Sequence, residues 1–571
     1  MKRKLSIINP EKIELVPVGS LQKIFMKKEE LPCRCIRKIS GLKGEHISFQ
    51  VAYRYKEFFF SSQMRVQGTK NPLVRIEVHT EARTDILIRK VVCVPSAYPA
   101  YGEYDGNYIT TEPGLYPDLL EDFDGKFQLI PYYWRSLRVE LDIEKTASAG
   151  NYPVEIVLRD LDGNVLKSEM IELNIVNAVL PEQDIIHTEW FYSDCLADYY
   201  QVPVFSEGYW RITENFMRTA VKRGINMILT PLFTLPLDTL IGGERTTVQL
   251  IGVNREQGSY TFDFTEFDRW ISLAESCGYQ YFEMGHLFSQ WGAKYAPKII
   301  ASEEGELTQI FGWDTKADSE EYQEFLGTFL PVLTRHLAEC GIAGRTFFHI
   351  SDEPNAGNID TYRKARECVR DYLKEFPVID ALSTLSFYED GIVDYPVPTN
   401  EYIHEFLGYG MEHPWVYYCS GEYLYVSNRF FAMPLARTRI LGVQMYLYGI
   451  EGFLHWGYNY YNSQYSIRKI DPYRVTDADD AFPSGDAFLV YPGEDGKAEE
   501  SIRLLALEEG FQDCRVLKLL EQTRGKHYVH KLVRDVAGMD ITFSEYPETE
   551  EFFEKLRSKV HQELEEIYSV S

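Results

Sequence analysis

At 571 residues, with 45% hydrophobic and 25% charged side chains, the chain has the make-up of a soluble globular protein and is too long for one ordinary domain, so two or three units are expected. The formal net charge of −27 opposes any general phosphate-binding surface and argues against a polynucleotide substrate, because nucleic-acid affinity comes largely from Lys and Arg releasing counterions. Aromatic content is high, 14% with 40 Tyr and 33 Phe, which suits sugar-stacking surfaces as well as core packing.

The amino terminus, MKRKLSIINPEKIEL, has a basic start, but Asn9, Pro10, Glu11 and Lys12 interrupt any apolar stretch, so no secretory signal is expected. No run approaches the ~18 consecutive apolar residues of a membrane span. The nine Cys stand singly with no C-x-x-C pair, which predicts reduced thiols and a cytoplasmic protein.

From residue 10 to 180 the pattern is short alternating segments: HISFQVAYRY at 46–55, LVRIEVHT at 73–80, SLRVELDI at 136–143 and YPVEIVLRD at 152–160. Ile171, Leu173 and Ile175 alternate with Glu172 and Asn174, and Asp162-Gly163 supplies a hairpin turn just before them. Residues 1–180 therefore predict an antiparallel β-sandwich.

After Pro181 apolar strand-like runs alternate with helix-period segments. The clearest helix spans Glu320 to Glu339, with Tyr322, Phe325, Phe329, Leu333 and Leu337 on one face and Asp318 with Glu321 resembling a capping box. Candidate strands fall at 185–194, 225–233, 279–288, 345–353, 376–383, near 401–404, at 415–420 and at 452–461. Eight strands with intervening helices predict a (β/α)8 TIM-like barrel over residues 181–500. Residues 501–571 are mainly helical, SIRLLALEEGFQDCRVLKLLEQ being read as amphipathic, and should pack on the barrel.

The fourth candidate strand, RTFFHISDEP, ends in two adjacent carboxylates and a proline. Consecutive strand residues face opposite sides, so Asp352 and Glu353 enter one pocket only if the backbone turns between them. A carboxylic acid there can protonate a leaving-group oxygen, and a second carboxylate alongside raises its proton affinity. In isolation the tripeptide reads as a helix cap, with Asp352 or Asn355 capping and Glu353 solvated. Context favours chemistry, because other strand ends carry Trp190, Glu283, His286, Trp415, Tyr417, Trp456, Tyr458 and Asn459, types that stack on pyranose rings or bind hydroxyls and amides. His286 and His349 lie near strands, but there is no H-E-x-x-H, no Cys cluster and no G-x-S-x-G, so neither a metal, a cofactor nor a serine nucleophile is expected.

FHISDEP, FLHWGYNYYN, SIRLLALEEGFQDCRVLKLLEQ, PGLYPDLL and SAGNYPVEIVL together resemble the glycoside hydrolase family 123-like proteins, over most of the chain. The resemblance implies an exo-acting β-N-acetylgalactosaminidase with substrate-assisted retention. In it Asp352 orients the substrate's 2-acetamido group, whose carbonyl oxygen attacks C1 to give an oxazolinium, and Glu353 acts as acid and then base. Trp456 would wall the acetamide pocket, and Tyr388 or Tyr458 would hydrogen-bond its carbonyl. The alternatives are a conventional retaining β-glycosidase with Glu353 as acid/base and Glu422 as nucleophile, or a non-catalytic carbohydrate-binding protein. The expected partner is a glycan or small glycoside, with no nucleic acid and no membrane. GalNAc, GlcNAc and neutral hexose are not separated by the sequence, and oligomeric state is left open.

Overall fold

The structure, a computed structural model, describes residues 8–31, 33, 35–57 and 71–568. The basic start at residues 1–7 lies outside the described residues. The fold is mixed α/β with several sheets.

The amino-terminal part forms two five-stranded sheets. One runs Ile13–Val18, His46–Tyr55, Arg135–Ile143, Thr84–Ser96, Gly114–Asp122; the other Lys38–Lys43, Val165–Val179, Gly150–Asp160, Leu73–Thr80, Lys126–Gln128. Alternation decides which side chains turn inward: Ile171, Leu173 and Ile175 are buried while Glu172 is exposed, and they join Phe49, Val51, Val139 and Leu141 of the first sheet in one apolar cluster. Gly163, at φ 88°, makes the expected hairpin turn with its N–H on Asp160 O. One pairing departs from the antiparallel expectation: Lys38–Lys43 runs parallel to Val165–Val179. A strand that arrives from the opposite sheet is free of the tight turn that forces hairpin neighbours to be antiparallel.

Beyond Pro181, eight short strands follow one another: Ile186–Glu189, Met227–Thr230, Tyr281–Met284, Thr346–Phe348, Ile379–Ala381, Tyr395–Val397, Trp415–Tyr417 and Gly452–His455. Six form one parallel sheet and two another, and parallel bridges Phe348–Val378 and Thr399–Tyr417 join them into a closed circuit. The sixth strand is Tyr395–Val397, not residues 401–404, which open the helix Ile403–Tyr409. The other seven ladders are shorter than their apolar runs, because the runs continue as largely buried segments beyond the ladder. Two hairpins, Gly252–Glu256 with Ser259–Asp263 and Ile299–Glu303 with Glu306–Phe311, form an additional four-stranded sheet. The helix Glu320–Glu339 has the expected bounds, but Ser319 caps it, accepting from Tyr322 N.

The helix Ile502–Arg524 is not amphipathic as expected: Arg503, Glu508, Glu509 and Asp513 are as buried as its leucines. It lies against the helix Leu435–Tyr448, the two backbones meeting where a Cβ on Gly442 would fall 1.7 Å from Gly510 O. Its charges survive burial because each is paired. Arg223 reaches Glu140 of the first sheet at 2.8 Å and Glu500 and Glu508 at 2.6 and 2.9 Å, and His46 touches Glu140 and Glu508 at 3.1 Å each. All nine cysteines are free thiols. Among the described residues no helix is long and apolar enough to cross a membrane.

Candidate active site

The fourth strand stops at Phe348, and His349, Ile350 and Ser351 remain buried without a ladder. Side chains and neighbouring loops satisfy their backbone: Leu287 N donates to His349 O, Phe288 N to Ile350 O, and Ile350 N to Asp380 Oδ1. Ser351 Oγ donates to Ser289 O at 2.8 Å and accepts from Ala293 N at 3.1 Å, tying the loops after the third and fourth strands together.

The chain then makes the turn that the adjacent acids require. Glu353 sits at φ 44°, a left-handed conformation costing a non-glycine residue about 1–3 kcal/mol. It is held there by Glu353 N on Ala381 O at 3.0 Å and Trp291 N on Asp352 O at 2.8 Å. Asp352 and Glu353 consequently line one cavity of about 120 Å³ together with Trp190, Tyr417 and Trp456. Neither acid caps the following helix, Ile359–Leu373; Asn358 precedes it with no side-chain cap, and Asn355 Oδ1 accepts from Gly357 N.

Both carboxyls are half-buried, facing the cavity with protein behind them. Burial raises each above the ordinary carboxyl range; the Glu353 charge raises Asp352 further, whereas the Tyr417 hydroxyl, donating to Glu353 Oε1 at 3.0 Å, works against the rise at Glu353. Such a pair gives up its protons in two steps that belong to both groups. The Tyr417 phenol is itself held well above its usual range by burial and by Glu353, so it stays a donor.

Behind the acids lies a fully buried polar cluster. His349 bonds Glu283 through Nε2 and Asp380 through Nδ1, the latter at 3.2 Å. Glu283 also accepts from Trp190 Nε1 at 2.8 Å and Thr188 Oγ1 at 2.6 Å, and Asp380 accepts from the Tyr362 hydroxyl. Burial opposes charge on His349, but Glu283 and Asp380 prevail and push it up to about 9. On the other wall Trp456 Nε1 donates to Asp486 Oδ2 at 2.9 Å, and burial pushes that carboxyl up to about 7.

Of the residues expected at the site, the structure brings Asp352, Glu353, Trp190, Tyr417 and Trp456 together. The others lie elsewhere. The Trp415 indole fills the space over Gly452, where a Cβ would fall 2.0 Å away. Tyr458 is buried with its hydroxyl on Phe216 O, and Asn459 is buried, bridging Tyr192 N and O. Tyr388, on the short helix Ser386–Glu389, packs on Phe406 and Tyr409 and accepts from Glu412 N. His286 stands behind the wall, stacked on His349 at 4.2 Å and edge-on to Trp190. Glu422 turns back on its own loop, accepting from Cys419 N at 2.8 Å, and burial pushes it up to about 8. Strand logic missed Asp238, Gln290, Trp291 and Gln464, which line the cavity from segments outside the ring strands, Gln464 from the 3-10 turn Gln464–Ser466. Asp238, at φ 39°, accepts from the Tyr460 hydroxyl at 2.7 Å and donates its N–H to Gln290.

The structure is similar to that of a family 123 glycoside hydrolase from Clostridium perfringens, studied for glycolipid glycan hydrolysis, with a TM-score of 0.70 and 14% identity over 98% of this chain and 99% of that one. Similarity to a family 5 mannosidase from Rhizomucor miehei (TM-score 0.35, 13% identity, 58% of this chain and 94% of that one) and to an endo-β-1,4-mannanase from Thermotoga petrophila (0.33, 12%, 59% and 77%) is much weaker. A comparison with curated protein sequences finds no match. The family model for the glycoside hydrolase 123 catalytic domain matches residues 190–520, which hold seven of the eight strands of the circuit and both acids. The chain belongs to glycoside hydrolase family 123 and is a glycosidase acting on glycans.

Proposed function

We propose that this glycosidase is an exo-acting β-N-acetylhexosaminidase, β-N-acetylgalactosaminidase-like, that works by substrate assistance. The observation that carries the reading is the turn at Glu353, which delivers two adjacent carboxyls into one aromatic-walled cavity. Glu353 donates its proton to the glycosidic oxygen as the C1–O bond breaks, and the acetamido carbonyl oxygen bonds to C1. Asp352 accepts from the acetamido N–H and stabilises the positive charge of the oxazolinium. Glu353, now a base, takes a proton from water, whose oxygen attacks C1 and reopens the ring. An internal nucleophile of this kind has a high effective molarity.

The cavity, about 120 Å³, is well below the ~300–1,000 Å³ of pockets that take drug-sized ligands, which suits one terminal sugar. Trp190 and Trp456 supply faces for a pyranose, and Asp238 and Gln290 supply polar groups for its hydroxyls. Within the family fold we assign residues 1–180 to a β-sandwich, 181–500 to a (β/α)8 barrel and 501–571 to a helical segment. The closed circuit of parallel strands supports the second assignment, and the cluster shared by the two amino-terminal sheets the first.

Glu422 suits the nucleophile of a conventional mechanism poorly, since its carboxyl is engaged by Cys419 N and favours the neutral form near neutral pH. Two reagents separate the mechanisms. A thiazoline mimic of the oxazoline should inhibit and a 2-deoxy-2-fluoro glycoside should leave no label; a label on Glu422 reverses the conclusion. Release of nitrophenol from β-GalNAc by wild type but not by Glu353→Gln would exclude a binding-only protein.

A further inference from the structure

Three consecutive strands of the circuit each contribute a buried ionisable group directly behind the acids: Glu283 from the third, His349 just past the fourth and Asp380 from the fifth. We propose that His349 is a positioning residue, a buried imidazolium that bridges Glu283 and Asp380, fixes the cavity wall and the catalytic turn relative to each other, and biases Asp352 towards its anion.

The protonation state follows from geometry. Each ring nitrogen faces a carboxyl oxygen, and a ring that donates from both nitrogens satisfies both acceptors at once. The mechanical role follows from what the carboxylates hold besides. Glu283 Oε1 is shared between His349 and the indole N–H of Trp190, so the imidazole and the wall bear on one atom. Asp380 binds Ile350 N, and the next residue, Ala381, takes Glu353 N on its carbonyl, so the end of the fifth strand grips the catalytic turn at two points.

The charge around His349 comes from every side. Glu283 and Asp380 are its partners, with the Tyr362 hydroxyl on Asp380. His286 stacks on its face, and burial together with the His349 charge keeps that second ring well below its ordinary value, hence neutral. Asp352 and Glu353 follow on the same segment, and Asp238 faces them across the cavity. The His349 cation acts on Asp352 in the opposite sense to Glu353, Asp380 and Asp238, lowering its proton affinity where they raise it. Without it burial, Glu353, Asp380 and Asp238 would raise the proton affinity of Asp352 unopposed by His349 and work further against the anionic form that an oxazolinium needs.

This role rests on the reading of Asp352 and Glu353 as the working acids, but its test needs no substrate. In pH-difference infrared spectra the carbonyl stretch of protonated Asp352 is identified by its loss in Asp352→Asn, and its midpoint is compared between wild type and His349→Gln. The midpoint should move to higher pH by about one unit, a tenfold change in proton affinity; a residue that only packs would leave it in place, and an unmoved or lowered midpoint overturns the proposal. Should His349→Gln lose its cooperative thermal transition, nitrogen-15 histidine spectra of the wild-type protein decide. They should contain an imidazolium at about pH 7 that is perturbed by Asp380→Asn, and finding the perturbed ring neutral contradicts the proposal. Failure to cleave any hexosaminide would remove the functional reading without touching these results, whereas an unmoved midpoint with intact turnover would remove His349's role alone.

Discussion

At the scale of single residues, the two acids were legible because a strand-like run ending in Asp-Glu-Pro can hardly continue as strand, and the required turn is the left-handed Glu353. Their unequal jobs make separate predictions. Glu353→Gln should lower kcat by about 10²–10⁴-fold on an aryl hexosaminide with a poor leaving group and far less on a dinitrophenyl one, read by initial rates. Because burial raises the Glu353 carboxyl, kcat/KM should persist above the pH at which an ordinary glutamic acid has ionised and fall only as Glu353 loses its proton. A pH–rate profile whose alkaline limb survives in Glu353→Gln would contradict that assignment. Asp238 and Gln290 escaped the sequence because they lie on irregular loops, where no periodicity marks a residue that folding brings beside the acids. Trp415 and Tyr458 show the converse: aromatic side chains at strand ends, turned into the core by the need to fill space over Gly452 and beside Phe216.

At the scale of elements, apolar runs located seven of the eight ring strands but overstated their length, since hydrophobicity reports burial and not the ladder. RTFFHISDEP pairs only over Thr346–Phe348, and 452–461 only over Gly452–His455. The sixth strand was misplaced because Tyr395–Val397 is too short to alternate visibly and a short helix follows it. The helix Ile502–Arg524 misled in another way, its charges marking buried pairs and not a solvated face. Its crossing with Leu435–Tyr448 is set by glycine. Gly442→Ala, whose Cβ would fall 1.7 Å from Gly510 O, should destabilise by about 1–3 kcal/mol or more, and Gly510→Ala, at 2.7 Å from Arg439 O, by less. Gly344→Ala, with nothing within 4 Å, should be near neutral in the same thermal unfolding series.

At the scale of the whole molecule, the first amino-terminal sheet, the ring domain and the helix Ile502–Arg524 are joined by one buried ion cluster centred on Arg223. Arg223→Met leaves Glu140, Glu500 and Glu508 short of a partner and should cost about 3–5 kcal/mol, seen as a lower denaturant midpoint. His46 adds a pH dependence. Burial and the Arg223 charge oppose its cation, but Glu508 and Glu140 outweigh them and push it up to about 9 from an ordinary 6.5, so its contribution is full below about 6.5 and lost as pH rises through about 9. That alkaline loss should be smaller in His46→Asn. Substrate assistance requires that the sugar supply its own nucleophile. The most direct measurement is kcat/KM on aryl β-GalNAc glycosides whose N-acetyl methyl carries no, one, two or three fluorines. Stepwise fluorination weakens the carbonyl oxygen as a nucleophile, and the rate should fall steeply with each step; a rate indifferent to fluorination would contradict substrate assistance.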